Sequence, residues 1–203
     1  MRIISLTLAV CLGLAAVQAQ TDKPVRVIKD GILDEIQLFV PALPEPFKRV
    51  SIRPFDADGA DLGTGAKEGD ADEQAEAKQM QKEGPAFLAE SLAQELRGRH
   101  TFEPVGSDAE SDIVITGRFV ELNPGSRKKR YFVGFGAGKA AVGVAGEVRD
   151  RNGRLLANFR QRRIATGGWG GGDSIKKMQS DSRSIGKDLA KFLHAWADGK
   201  RLD

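Results

Sequence analysis

Residues 140–164 constrain the fold more than any other stretch. Ala140, Val142, Val144, Gly146 and Val148 recur at every second position, Asp150-Arg151-Asn152-Gly153 carries an Asn-Gly turn signature, and Leu155 to Ile164 returns as a second extended segment. A long antiparallel hairpin is expected there. The same period reads out its neighbours. Lys48 to Arg53 alternates polar and apolar until Pro54 stops it. Asp112 to Leu122 sets Ile113, Ile115 and Phe119 on one face and Val114, Val120 and Leu122 on the other, the pattern of a central strand closed by Asn123-Pro124-Gly125. Thr101 to Val105 is a shorter candidate.

Two helices complete the pattern. Pro85 suits a first helical position, with Phe87, Leu88, Leu92 and Leu96 at helical spacing before Gly98. Ser174 to Asp198 spaces Met178, Ile185, Leu189, Phe192 and Trp196 by three, four and seven residues, with Gly199 beyond its end. Asp56 to Asp72, rich in Gly and Asp, reads as a surface loop running into the polar Glu73 to Lys82 segment, and Gly167 to Gly172 as a connector beside Trp169. The expected fold is a single α/β two-layer sandwich, a mixed, largely antiparallel sheet of about five strands with two main helices on one face. Its boundaries fall at a Pro-rich arm over 20–47, in which residues 25–27 and 36–40 are short strand candidates, a domain over 48–198 and a tail over 199–203.

The first 19 residues have the form of a secretory signal: Arg2, an apolar run from Ile3 to Val17, and Val17-Gln18-Ala19 ahead of Gln20, so cleavage is expected between Ala19 and Gln20. That places the chain in the periplasm or outside the cell, with no transmembrane span after processing. The single cysteine, Cys11, lies within the signal, which leaves the remaining 184 of 203 residues without thiol or disulfide. The alternative is lipidation at Cys11, although Val10 stands where a small residue is preferred.

Charge is unevenly distributed. From Gln20 to Gly125 there are 12 Lys and Arg against 21 Asp and Glu, and from Ser126 to Arg163 there are 11 against 2. The two segments either neutralise each other across the fold or leave a basic face for an anionic partner, built from Arg127, Lys128, Lys129, Arg130, Arg160 and Arg162. Arg160 and Arg162 share one face of their strand and Arg163 takes the other. Export argues against nucleic acid, and an envelope protein or an anionic envelope component is the expected partner, with homo-oligomerisation left open.

No motif spells out a chemistry. Gly134-Phe135-Gly136-Ala137-Gly138-Lys139 lacks the Walker spacing, since Val133 and Ala140 occupy the required Gly and Ser/Thr positions, and a strand follows it; Gly134, Gly136 and Gly138 are therefore read as structural glycines. Asp56-x-Asp58-Gly59-x-Asp61 imitates a calcium loop, but Lys67 stands at its twelfth position. His100 and His194 have no partner at metal spacing. The expectation is no catalytic residue, no metal, no cofactor and no enzyme.

The run Tyr131 to Ala140, the alternation to Glu147-Val148-Arg149-Asp150, and Asn152-Gly153-Arg154-Leu155-Leu156 with Phe159 together resemble the bacterial domain-of-unknown-function family 4410 over roughly Lys48 to Trp196. That resemblance implies an exported envelope protein. The order of elements also resembles the domain of the curli-secretion and penicillin-binding-protein-activator lipoproteins, which implies an adaptor or assembly role. The leading expectation is thus a non-catalytic binding or adaptor protein of the envelope, and the second a small-ligand or glycan binder using the Gly-rich loops near Trp169.

Overall fold

The computed structural model describes residues 23–44, 46–63, 71–99, 101–125, 139–164 and 174–203. Their elements are β1 (Arg26–Lys29), β2 (Glu35–Leu38), β3 (Arg49–Ile52), α1 (Ala71–Gly98), β4 (Glu103–Val105), a 3₁₀ turn (Asp108–Glu110), β5 (Ile113–Asn123), β6 (Ala141–Asp150), β7 (Leu155–Ile164) and α2 (Ser174–Ala197). The strands form one sheet in the order β1-β2-β7-β6-β5-β3-β4. From β1 through to β5 each pair is antiparallel, whereas β5, β3 and β4 run parallel, α1 making the crossover from β3 to β4.

The protein is the expected α/β sandwich, with seven strands in place of about five. The additional two come from the N-terminal arm. Ile36 lies opposite Phe159 and Leu38 opposite Ala157, and both Ile36 and Leu38 are buried beneath the helices. Burying these apolar side chains on the core face binds the arm to β7, so position 48 is no domain boundary. The C-terminal residues are likewise built in: the Ile32 N–H donates to the Leu202 carbonyl (2.9 Å) and the Leu202 side chain is buried.

One sheet face is apolar and carries both helices. Val142, Val144 and Val148 of β6 stand on it beside Ile115 and Phe119 of β5. Simple alternation puts Val120 with Leu122 on the opposite face, but a bulge intervenes: Phe119 pairs with Val144 and Glu121 with Gly143, which leaves Val120 as the extra residue. The strand's alternation is reset there. Leu122 therefore returns to the core while Val120 stays 40% exposed.

Helix α1 begins well before Pro85, correcting the expected start. Glu73, Ala77, Met80, Gly84 and Leu88 are buried at spacings of three and four that pass through the proline. The polar 73–82 segment is helical because its Ala, Glu, Gln, Lys and Met residues are strong helix formers. Helix α2 matches its expected span within one residue and ends in a Schellman arrangement, with Gly199 at φ +63°, its N–H donating to Trp196 and that of Lys200 to Ala195. The helices meet at Gly186, where the Ser91 hydroxyl donates to the Arg183 carbonyl (2.7 Å).

Candidate functional site

Among the described residues, nothing packs over the middle of the other sheet face. Period-two alternation places Glu35 and Gln37 of β2, Asn158, Arg160 and Arg162 of β7, Ala145 and Glu147 of β6, and Thr116 and Arg118 of β5 there, opposite the core residues of the same strands. All of these but Arg162 line a shallow concavity of about 640 Å³, with Asp56 on its rim.

The floor is held from below by aromatic rings. Gly117 and Gly146 lie opposite one another in the ladder, and a Cβ on either would strike the ring of Phe55 or Phe159 on the helix side. The missing side chains admit these rings: Phe55 packs against Phe119 with centroids 6.4 Å apart and against Phe159 at 6.3 Å. Asp56 reaches the rim because residues 56–61, expected to be a loop, run along β5 and bridge it at Arg118 and Glu121.

Most charges of the basic hairpin are neutralised locally. Arg162 grips Glu121 with two hydrogen bonds (2.5 and 3.0 Å), and Arg149 does the same to Glu147 (2.6 and 2.9 Å). The Arg149 hydrogen bond holds the Glu147 carboxyl below its ordinary range. Arg163 crosses to the helix side and meets Asp188 (2.6 Å), while Arg151 pairs with Asp112. Glu121 and Asp112 belong to the acidic first segment, so part of the sequence asymmetry is internal neutralisation.

Two guanidiniums in the centre of the face are different. Arg118 and Arg160 are exposed and make no ion pair or side-chain hydrogen bond among the described residues. Of the expected pair Arg160 and Arg162, only Arg160 is unpaired. Arg118 lies in the acidic segment, where charge counting does not single it out, but alternation puts it on the same face as Thr116, two residues before it. The remaining expected partner residues Arg127, Lys128, Lys129 and Arg130 lie outside the described residues, as do Gly134, Gly136, Gly138, Trp169 and the cleavage site at Ala19 and Gln20.

Other polar groups have structural tasks. Asp56 and Asp61 accept the backbone N–H groups of Asp58 (2.8 Å) and Gly63 (3.1 Å). His194 is buried between the helices, its ring 5.4 Å from that of Phe102. Among the described residues no cluster of three His, Asp or Glu side chains could hold a metal ion, and no helix is long and apolar enough to cross a membrane.

A two-layer α/β sandwich with a charged, uncovered sheet face is therefore the class of protein at hand. Residues 50–168 match the family described as Domain of unknown function (DUF4410), more than half of the 203 residues, and the chain belongs to that family. No curated protein matches it. Among solved structures it is similar to the PelC dodecamer from Paraburkholderia phytofirmans, at 14% identity over 75% of this chain and 95% of that one (TM-score 0.43). It is also similar to a DUF330 protein from Xanthomonas campestris, at 10% identity over 78% and 91% (TM-score 0.45). Uncharacterized lipoprotein B from Nitrosomonas europaea is a further likeness, at 17% identity over 78% and 92% (TM-score 0.33).

Proposed function

We propose that this protein is an exported, non-catalytic binding or adaptor protein of the cell envelope whose open sheet face engages an anionic envelope component. The observation that carries this reading is the Arg118 and Arg160 pair, uncompensated at the centre of a face where the neighbouring arginines are matched to acids. An exposed guanidinium left without an internal acceptor is available to an outside carboxylate or phosphate. Export is supported by the apolar run and small-residue site that end at Ala19.

Immobilised protein exposed to envelope extract at low and high salt tests the reading. The parent is expected to retain an anionic component at low salt and release it at high salt. The double variant R118Q/R160Q is expected to retain none, with an unchanged Tm because both residues are exposed. Capture by the double variant with the parent's salt profile would overturn it. A small ligand would suit the concavity, whose 640 Å³ lies within the range of small-molecule sites, about 300–1,000 Å³, whereas the Gly-rich loops near Trp169 expected to bind one lie outside the described residues.

A further inference from the structure

One row of the ladder crosses the middle of the open face as Asp56, Arg118, Ala145, Arg160, Glu35. Asp56 bridges Arg118, Arg118 lies opposite Ala145, Ala145 opposite Arg160, and Arg160 opposite Glu35. The row reads acid, base, small, base, acid. Opposite charges on neighbouring strands are close enough to pair, yet these do not. Oδ1 of Asp56 accepts the Asp58 N–H, and Oε1 of Glu35 accepts the Gln37 side-chain amide (2.5 Å). Among the described residues, the two guanidiniums remain without an acceptor.

Between them stands only the methyl of Ala145. Two strand spacings put the Cα atoms of Arg118 and Arg160 about 10 Å apart, a gap that two extended arginines can lean across from both sides. Each guanidinium offers a planar fork of donors suited to a carboxylate. Among the described residues, the position above Ala145 is thus flanked by cationic donors and left open as part of the concavity.

We infer that this row is a carboxylate cradle for a sugar acid, an inference that rests on the open face being the binding surface. The acids at both ends decide the size of the anion. A polyphosphate or nucleic acid extended along the row would meet Asp56 on one side and Glu35 on the other, whereas a single compact carboxylate sits between the arginines and touches neither. The next row decides what carries it. Thr116, Glu147, Asn158 and Gln37 lie side by side there; Thr116 and Arg149 already donate to Glu147 and Gln37 to Glu35, and the acceptor capacity these groups keep, with the Asn158 amide, suits a hydroxyl-rich body better than an apolar one. A uronic acid combines the planar carboxylate with a ring of hydroxyls.

Titration of glucuronate into the protein, followed by NMR of the arginine side-chain N–H groups, tests the cradle, with glucose and inorganic phosphate as comparisons. Glucuronate is expected to shift Arg118 and Arg160 and leave Arg162 and Arg163 in place. R118Q and R160Q are each expected to weaken binding by roughly tenfold or more, the worth of one charge-assisted hydrogen bond. A145L changes no charge and fills the gap, so it is expected to abolish binding while Tm is retained. Glucose or phosphate binding as tightly as glucuronate, or indifference to the three substitutions, overturns the inference. If glucuronate fails to bind while R118Q/R160Q still loses envelope capture, the sugar-acid inference falls and the broader function stands; if capture survives the double substitution, the broader function falls.

Discussion

Asp112 stands at the entry to β5 with its side chain 11% exposed and reaches two other segments at once. Oδ2 accepts the backbone N–H groups of Lys48 (2.9 Å) and Arg49 (2.8 Å), and Oδ1 pairs with Arg151 in the β6–β7 turn. Burial alone would raise its pKa, but these donors outweigh burial and hold the carboxyl at about 2, against an ordinary value of 3.8. A depressed carboxyl contributes stability above its unfolded pKa and loses it as pH falls from 3.8 towards 2. The shift corresponds to about 2 kcal/mol, so Asp112→Asn is expected to lower stability by about that amount at neutral pH and to flatten the acid limb of a Tm-against-pH profile. His194 governs a higher window. Burial favours its neutral form and lowers its pKa from 6.5, so the unfolded chain takes up the proton first and stability declines as pH drops below 6.5. His194→Gln is expected to remove that part of the decline, leaving the Asp112 limb intact; an unchanged profile between neutrality and pH 5 would show that His194 is not the group responsible.

The contact between helices α1 and α2 turns on one glycine. A Cβ at position 186 would come 2.6 Å from the Leu88 carbonyl and 2.9 Å from the Leu92 nitrogen, and would also strike the Ser91 hydroxyl. Gly186→Ala gains helix propensity and loses this approach, and overpacking of this kind costs roughly 1–3 kcal/mol. A lower Tm is therefore expected, and a rise would show that the helices separate easily. Much at this scale was legible in the sequence. The β6–β7 hairpin and the buried stripe of α2 follow an apolar period that fixes both their type and their core face, and β5 does so from Ile113 to Phe119. The failures have physical causes. The first half of α1 buries Glu73 and Glu76 along with Ala77 and Met80, and a stripe that includes acids leaves no apolar signature. Val120 hides a bulge that only pairing with β6 reveals. β1 and β2 overlap the strand candidates at 25–27 and 36–40, but what joins them to the sheet was not legible, because they span four residues each and β7, the partner of β2, lies more than a hundred positions away. Arg160 was readable as a candidate from local charge, while Arg118 becomes its neighbour only when β5 and β7 flank β6.

At the scale of the whole molecule, the C-terminal residues close against the β1–β2 turn. Leu202 is 1% exposed and its carbonyl receives the Ile32 N–H, so the last residues seal the turn between β1 and β2. Leu202→Ala is expected to cost about 2–5 kcal/mol, the range for emptying a buried leucine site, and a loss within experimental error would return these residues to the status of a loose tail. Charge is settled at the same scale. The acidic first segment supplies Glu121 and Asp112 to Arg162 and Arg151, and α2 supplies Asp188 to Arg163. What the fold leaves uncompensated at the centre of its open face is Arg118 and Arg160. The most direct test compares R118Q, R160Q, R162Q and R163Q for retention of the anionic envelope component at low salt. Loss confined to R118Q and R160Q, with R162Q and R163Q holding the parent's retention, is the predicted result; equal retention by all four, or a loss at R162Q as large as at R160Q, would contradict the assignment of function to this pair.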